Sequence, residues 1–398
     1  MTVEYLLLAA AAIPFIYYLL SLYSITRYFR SGARERGRNG NADFTPPISC
    51  LKPIKGLDED AYENYASFCR QDYPDYEILF CVDKDDPTVP VLEQLIQDFP
   101  QRRIRLLFGS GRNAVNDKVA RLTRLVGEAQ HDIFVITDSD VRVQPDYLRT
   151  IVAPFRDPKV GAATCLYAST AEKNLTQDLQ SIGMISDFFP GVMVAWQLDG
   201  VKFTFGQTIV TMRKAIAGYG GYETIEDRPA DDVWAGRLVA AQGYEVKLLP
   251  YVVQSVADFR SLPDLLYKRV RWMTVMRLMR PWGHLGLLFT WGLPWALVAI
   301  AVHPTVAIAG AYLGLYLAFR VAMTWAVGVW GMKQTGVWRK MPLIPLWDAT
   351  AFAIWLVSFA RRTVRWRGVD YYIREGKLVC ATTNGAALGD QVKIKTAK

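Results

Sequence analysis

Three stretches of this chain are almost free of charge, and they limit its possible folds more than any motif does. Residues 5–26 contain no charged side chain, residues 285–332 contain only Arg320, and residues 341–360 contain only Asp348. A bilayer core about 30 Å thick is crossed by roughly 20 apolar residues in a helix. The pattern predicts an N-terminal transmembrane span, a soluble central domain and a C-terminal block within the membrane.

The N-terminal stretch has two interpretations, a cleaved signal peptide or a retained anchor. It lacks a basic segment before the apolar run and a cleavage site of small residues after it, which favours an anchor over residues 1–30. Because cytoplasmic flanks of membrane spans are rich in Lys and Arg, the side that follows is predicted to be cytoplasmic. The basic residues of that flank are Arg27, Arg30, Arg34, Arg36 and Arg38.

The C-terminal block, residues 285–360, is predicted to hold two or three membrane helices. Residues 285–332 suffice for two spans with a turn at His303-Pro304. Residues 341–360 have basic residues at both ends, so a full crossing would place one basic cluster outside, and a re-entrant or interfacial helix is favoured while a crossing remains open. Since a charge in an apolar run is usually paired, Arg320 is predicted to pair with Asp348.

The net charge of +8 is concentrated at these membrane edges, where anionic lipid headgroups would attract it. No basic stripe crosses the central domain, so nucleic acid is not an expected partner. The five cysteines show no paired spacing, which predicts reduced, mostly buried thiols rather than a disulfide framework. The three histidines are scattered, and neither a zinc site nor a histidine base is expected.

A polar linker over residues 31–45 is predicted to lead into a central domain of residues 46–255, in which strand and helix patterns alternate. Such alternation predicts an α/β fold with parallel neighbouring strands. Ligands bind such sheets at the carboxyl ends of the strands, so the residues after each strand are the candidates for chemistry. The strands are predicted at 48–51, 76–82, 104–108 and 133–137, and the helices at 58–69, 89–99 and 117–128.

Acidic residues follow two of these strands and open a later helix. Asp83 follows the second strand, Asp138 and Asp140 follow the fourth, and Asp231-Asp232 begin a helical pattern. Side chains at positions i and i+2 of an extended chain point the same way, so Asp138 and Asp140 are predicted to converge. Mg²⁺ or Mn²⁺ would neutralise them and keep coordination sites open for phosphate oxygens, whereas the alternative is a helix cap with a solvated turn.

A series of ordered motifs resembles family 2/21 glycosyltransferases, and more narrowly ceramide glucosyltransferases and their bacterial relatives, including the hopanoid-associated enzymes. The motifs lie over residues 46–282, and WRGVDYYI at 366–373 matches the end of such chains. This resemblance implies a GT-A type nucleotide-sugar-binding domain with transmembrane helices, located at a bacterial inner membrane. The motifs are LKPIKG (51–56), QDYPDYEILFCVDKDDP (71–87), NDK (116–118), ITDSDVRV (136–143), PADDVWAG (229–236) and KRVRW (268–272).

The resemblance also implies a role for each matching residue. Asp138 and Asp140 would hold a divalent metal on the diphosphate of a UDP-sugar, and Asp232 would be the catalytic base. Arg271 would face phosphate, and Trp272 would face the sugar or acceptor. The family's last motif begins with Gln or Arg, where this chain has Lys268, so the role of that position is open. The remaining substrate-binding positions are Lys52 and Pro53 in the base pocket, Asp83 near the uracil or ribose, Lys118, Asp138, Asp231 and Lys268.

The predicted reaction is inverting transfer of a hexose, glucose first, from a UDP-sugar to the hydroxyl of a membrane lipid such as ceramide, giving a β-glycolipid. Transfer of N-acetylglucosamine from its UDP-sugar to a hopanoid is a close alternative. A processive polysaccharide synthase would need more spans and a Gln at position 268. A non-catalytic membrane scaffold would have no reason to keep the acidic positions together with Arg271 and Trp272.

Two segments are candidates for the acceptor side of the site. Residues 256–284 alternate apolar and cationic positions at helical spacing, which predicts amphipathic helices in the membrane interface, with packing into a core as the alternative. Residues 175–198 are rich in Ile, Met, Phe and Trp and line either a lipid pocket or the core. Residues 361–398 are predicted to form a cytoplasmic tail.

Overall fold

The computed structural model describes residues 2–38, 44–112, 114–170, 173–256, 261–366 and 369–381. Within these residues an eight-stranded mixed sheet forms the centre of the soluble domain, with the strand order β3-β2-β1-β4-β7-β6-β8-β5. The strands are β1 Ile48–Pro53, β2 Tyr76–Val82, β3 Arg103–Phe108, β4 Ile133–Ile136, β5 Val141–Arg142, β6 Val160–Ser169, β7 Ile209–Met212 and β8 Glu245–Ser255.

The helices lie on both faces of this sheet and in the segments that flank it. Their bounds are α1 Thr2–Ala11, α2 Ile13–Arg38, α3 Ala61–Cys69, α4 Val89–Asp98, α5 Asp117–Glu128, α6 Tyr147–Val152, α7 Leu175–Gly183, α8 Phe189–Asp199, α9 Arg213–Gly218, α10 Asp231–Ala241, α11 Leu262–Met279, α12 Pro281–Gly286, α13 Gly292–Val302, α14 Val306–Thr324 and α15 Ile344–Ala360.

The α/β prediction is confirmed, and the parallel pairing holds for the first half of the sheet. Strands β1, β2 and β4 are buried along their whole length, because helices cover both faces. β1 runs parallel to β2 and β4, and β2 runs parallel to β3. The second half differs from the prediction, since β7 runs antiparallel to both β4 and β6.

The flanking segments contain helices of membrane length, as predicted. By length and composition, Val3–Gly32, Val306–Gly331 and Thr335–Ala360 can each cross a bilayer. A fourth apolar unit is bent by 57° between Pro281–Thr290 and Gly292–Val302. The break therefore falls within the first half of the C-terminal block, whereas the stretch that the sequence left open, residues 341–360, lies in a long continuous helical segment.

The predicted pairing of Arg320 with Asp348 is confirmed. Arg320 Nε donates to Asp348 Oδ2 at 2.8 Å, and Arg320 Nη2 donates to Asp348 Oδ1. Tyr316 adds a hydrogen bond to Asp348 Oδ2 at 2.8 Å, and Arg320 Nη1 donates to the carbonyl of Ser186. Both charges are buried, and their hydrogen-bonding groups are used within the bundle.

Ser186 lies in a π-helical turn, Met184–Phe188, which joins α7 and α8 into one long helix. A π-turn displaces the regular hydrogen-bond ladder and leaves carbonyl groups for other donors. Here Arg320 uses the Ser186 carbonyl. Side chains of this helix, including Ile182 and Met184, share one hydrophobic core with α2 and α15, so the soluble domain and the membrane block are packed together.

The predicted linker and tail contain more regular structure than expected. Helix α2 continues to Arg38, within the predicted linker of residues 31–45, of which 39–43 lie outside the described residues. The tail forms an antiparallel sheet of β9 Val364–Trp366, β10 Val369–Arg374 and β11 Lys377–Cys380. It returns to the soluble domain, where Leu378 N donates to Asp227 O at 2.6 Å. Residues 382–398 are outside the described part of the chain.

Candidate active site

The carboxyl ends of β1, β2 and β4 lie side by side, because these strands run parallel. Lys52 and Pro53 end β1, Asp83 follows β2, and Asp138 follows β4. The structure thus places these predicted residues at one edge of the sheet, the edge at which α/β domains bind ligands.

Lys52 and Pro53, which the resemblance assigns to the base pocket, are both buried in this structure. Lys52 Nζ lies over the ring of Phe68, 3.9 Å from its centre, and donates to Asp138 O at 3.2 Å. Burial lowers the pKa of Lys52 to about 8. Lys52 has no exposed surface and supports the turn at Asp138 through this hydrogen bond, and its part in a base pocket stays a prediction.

Asp83 is held by a residue that the sequence did not single out. Its carboxylate accepts a hydrogen bond from Arg121 Nη2 at 2.6 Å, and its side chain is 42% exposed. The Arg121 side chain is only 2% exposed and also lies 3.3 Å from Asp117 Oδ2. An arginine at this helix position has no distinctive spacing, so only the fold reveals that it orients Asp83.

Lys118 joins two of the predicted acidic sites. Its Nζ lies 2.7 Å from Asp138 Oδ1 and 3.3 Å from Asp231 Oδ2. Asn116 caps α5 by accepting from Lys118 N and Val119 N, which fixes the start of the helix that carries the lysine. Burial alone would lower the pKa of Lys118, but the neighbouring carboxylates outweigh it and raise the pKa.

Asp232 lies at the start of α10, where backbone N–H groups hold its carboxylate. Gly206 N donates to Asp232 Oδ2 at 3.0 Å, and Val233 N donates to Asp232 Oδ1 at 2.8 Å. Burial, followed by the charge of Asp231, raises the pKa of Asp232 to about 6. A carboxylate with such a pKa accepts a proton near neutral pH more readily than an ordinary aspartate does.

Asp140 lies in the turn after β4, at the end of β8. Its Oδ2 accepts from Ser255 Oγ at 2.6 Å, and its carbonyl accepts from Val256 N at 2.9 Å. Burial, and then the charge of Asp138, raises the pKa of Asp140 to about 6. We refer to Asp138, Asp140, Asp231, Asp232 and Lys118 as the carboxylate cluster.

The carboxylate cluster fits a divalent cation that takes most of its ligands from substrate phosphates and water. Within the described residues, no three His, Cys, Asp or Glu side chains come close enough to hold a metal by themselves. Asp138 and Asp140 supply hard oxygen ligands, and the negative charge of Asp138 acts on the Asp140 carboxylate. Mg²⁺ is commonly bound by one or two carboxylates together with substrate phosphates, which matches this donor set.

A pocket of about 250 Å³ opens between Asp140 and helix α11. It brings Lys268, Arg271 and Trp272 to the Asp140 side of the carboxylate cluster, and their roles toward phosphate, sugar or acceptor stay predictions. Lys268 Nζ donates to Asp264 Oδ2 at 2.9 Å, and burial lowers the pKa of Arg271. The other lining residues are Tyr167, Ala168, Ser169, Gln180, Ser181, Met184, Ile185, Gln207 and Ser255.

Part of this pocket comes from the predicted lipid-pocket segment, and part from a turn that the sequence did not single out. Gln180, Ser181, Met184 and Ile185 belong to the helix of residues 175–199, so one face of the predicted lipid-pocket segment lines the pocket while another packs in the core. Gln207 sits in a short turn before β7. The Gly-Gln pair at 206–207 indicates a turn, but nothing in its spacing assigns it to the site.

The five cysteines are free, and four of them are buried, as predicted. None lies in the carboxylate cluster or lines the pocket described above.

Comparison with a solved structure identifies the type of fold. The mannosyltransferase PcManGT of Pyrobaculum calidifontis, solved with GDP-Man and Mn²⁺, superposes with a TM-score of 0.53 at 19% identity. The match covers 85% of this chain and 99% of that structure. This similarity confirms the predicted GT-A type fold.

Relatives of known name extend the comparison to enzymes named for lipids. Ceramide glucosyltransferase 1 of Caenorhabditis elegans is 21% identical over 397 residues, which are 94% of this chain and 82% of the relative. Ceramide glucosyltransferase 3 of the same organism is 24% identical over 238 residues, 59% of this chain and 52% of the relative. A Synechocystis beta-monoglucosyldiacylglycerol synthase is 34% identical over 129 residues, 31% of this chain and 26% of the relative.

The family model described as glycosyl transferase family 21 matches residues 6–379, from the first membrane helix to the tail sheet. The match includes the carboxylate cluster, the pocket and helix α11. The chain therefore belongs to glycosyl transferase family 21.

Proposed function

We propose that this protein transfers glucose from UDP-glucose to the hydroxyl group of a membrane lipid, ceramide first, with inversion at the anomeric carbon. The observation that carries the proposal is the position of the pocket, which has the carboxylate cluster on one side and helix α11 on the other. The names of the relatives support glucose as the transferred sugar, because the ceramide enzymes and the Synechocystis enzyme are all named for glucosyl transfer.

The diphosphate end of the donor would bind at the turn after β4. A divalent cation held by Asp138 and Asp140 would supply Lewis-acid stabilisation of the departing diphosphate when bound. Lys118, already 2.7 Å from Asp138 Oδ1, adds a positive charge at the same place. Asp83, at the neighbouring strand end and oriented by Arg121, would bind the ribose or uracil.

Asp232 would act as the base. The lipid hydroxyl oxygen forms a bond to the anomeric carbon, the bond from that carbon to the diphosphate oxygen breaks, and the hydroxyl proton moves to the Asp232 carboxylate. UDP leaves with the bonding electron pair. A single displacement inverts the α-linkage of the donor, so the product is a β-glucoside.

The acceptor would enter from the membrane side of the pocket. Trp272 is 41% exposed and Arg271 is half-buried at its rim, which gives the pocket an apolar wall beside a cationic group. Met184 and Ile185 line it from the helix that packs against the membrane block. We further propose that residues 46–255 face the cytoplasm, since Arg27 and Arg30 end the first span.

Diacylglycerol is a second candidate acceptor, because the Synechocystis relative is named for that product. The two acceptors differ in the group around the hydroxyl, an amide in ceramide and an ester in diacylglycerol. In the first case the protein would act in sphingolipid metabolism, and in the second in glycerolipid metabolism.

The test is transfer by the purified full-length protein in detergent with Mg²⁺ or Mn²⁺ present. UDP-glucose, UDP-N-acetylglucosamine and GDP-mannose are each offered with ceramide, diacylglycerol and a hopanoid, and the labelled lipid is identified by mass spectrometry and by β-glucosidase digestion. We expect a β-glucosidase-sensitive product from UDP-glucose and ceramide. A product from UDP-N-acetylglucosamine and hopanoid alone, or a β-glucosidase-resistant glucolipid, would contradict the proposal.

A further inference from the structure

The turn Phe205–Thr208 lies between two members of the carboxylate cluster, Asp138 and Asp232. Its ends pair across an isolated bridge, and Thr208 N donates to Phe205 O at 3.0 Å. The buried Thr164 hydroxyl on β6 accepts from Phe205 N at 2.9 Å and donates to Thr208 O at 2.7 Å. The turn is therefore attached to the sheet at both ends, with Gly206 and Gln207 at its tip.

Gly206 makes one backbone hydrogen bond to each of these two aspartates. Its N–H donates to Asp232 Oδ2 at 3.0 Å, and its carbonyl accepts from Asp138 N at 3.1 Å. One residue thus connects the proposed base with the backbone of the proposed metal ligand. Because Thr164 also holds the turn, Gly206 cannot move away from either aspartate without breaking these bonds.

A side chain at this position is limited by the space that neighbouring side chains occupy and not by backbone conformation. Gly206 is not among the glycines with positive φ. A Cβ atom added to it would lie 2.6 Å from Asp138 Oδ2 and 3.3 Å from Lys118 Nζ. Since the turn is fixed and the carboxylate is the end of a side chain, the carboxylate is the group that would move.

We propose that Gly206 is a positioning residue, which keeps the Asp138 carboxylate in place for the divalent cation and at a set distance from Asp232. The inference rests on the proposed roles of those two aspartates. Gly206 would act by leaving space for the Asp138 carboxylate, and it would touch no reacting atom itself.

The test compares Gly206→Ala with Gly127→Ala. Gly127 lies on α5, the helix that carries Lys118, and a Cβ atom there meets nothing within 4 Å. For each full-length protein in detergent, the affinity for UDP is measured by calorimetry with Mn²⁺ and with EDTA, and the melting temperature is recorded.

We expect Mn²⁺ to strengthen UDP binding in the parent protein and in Gly127→Ala. In Gly206→Ala this Mn²⁺-dependent gain should fall by roughly 10- to 100-fold, the range seen when the support of a metal ligand is lost. Binding in EDTA and the melting temperature should stay close to those of the parent. A full Mn²⁺-dependent gain in Gly206→Ala would overturn the inference while leaving the proposed metal role intact.

Two further outcomes are decisive. If the parent protein itself shows no Mn²⁺-dependent gain, the proposed metal role fails and the inference fails with it. If Gly206→Ala does not fold, the double variant Gly206→Ala/Asp138→Ala restores the space; recovery of folding supports the contact with the carboxylate, and continued misfolding overturns it.

Discussion

The Arg320–Asp348 pair is buried and the carboxylate cluster is partly buried, and the two groups of charges are balanced in different ways. Arg320 and Asp348 face each other through two hydrogen bonds, and Tyr316 and Ser186 take part in the same network. In the carboxylate cluster Asp138 and Asp231 share Lys118, while Asp140 and Asp232 are held by the neutral donors Ser255 and Gly206.

The difference lies in how the charges are matched. In the membrane block, a charge with a matched partner holds the helices together. In the carboxylate cluster, burial and then the charge of a neighbouring aspartate raise the pKa of Asp140 and of Asp232 to about 6. Groups with pKa values shifted in this way are typical of functional sites.

The largest effect is expected at the proposed base. Asp232→Asn keeps the shape of the side chain but removes its capacity to accept a proton, so kcat should fall by about 10²- to 10⁴-fold while the Kd for UDP stays nearly unchanged. The exposed Asp199, which pairs with Lys202, provides a matched control, and Asp199→Asn should leave transfer unaffected. Unchanged turnover in Asp232→Asn would show that Asp232 is not the base and that the two groups of charges do not differ in function.

The next effect concerns stability in the membrane block. Arg320→Met leaves Asp348 buried without its partner and should lower the free energy of unfolding by about 3–5 kcal/mol. The double variant Arg320→Met/Asp348→Leu removes both charges and should regain much of that loss. Thermal unfolding in detergent measures both variants. If the double variant is at least as unstable as the single one, the two charges do not act as a pair.

A smaller effect is expected in the pH dependence of transfer. The base works only when deprotonated, so kcat/KM should decline as the pH falls through about 6, with Asp140 contributing to the same limb. Asp231 raises the pKa of Asp232 and Lys118 lowers it. The limb should therefore move to lower pH in Asp231→Asn and to higher pH in Lys118→Met.

The opposite directions of these two shifts provide the control. Loss of a merely structural contact would move the acid limbs of the two variants in the same direction, or would move neither limb. An acid limb near pH 4 in the parent protein would mean that Asp232 has the ordinary pKa of an aspartate and is not desolvated.

The smallest effect is expected for charges that are neither buried nor part of the site. Lys377 Nζ on the tail sheet lies 2.7 Å from Asp227 Oδ2, and the two side chains are 53% and 32% exposed. Water screens such a pair, so Lys377→Ala should change the free energy of unfolding by about 1 kcal/mol or less. A larger loss in chemical denaturation would show that the tail sheet depends on this ion pair as strongly as the bundle depends on Arg320.

Much of this arrangement could be predicted from local patterns. The apolar runs that form β1, β2 and β4 end within one or two residues of their predicted ends, because buried parallel strands read as continuous apolar segments. The pairing of Arg320 with Asp348 followed from the high free energy of an unpaired charge in an apolar run. The burial of Lys52 was not visible in the sequence, since its motif position does not reveal that a strand buried on both faces carries it.

By itself, the sequence determined the membrane helices, the α/β alternation and the acidic residues at the strand ends, because each depends on neighbours within a few positions. Only the tertiary structure decided which groups hold those acids. Arg121, Gly206 and Ser255 reach Asp83, Asp232 and Asp140 from a helix, a turn and a strand far away along the chain. Such contacts depend on sheet order and register, which have no local signature, so the charge balance that distinguishes this site from the membrane ion pair exists only in the folded chain.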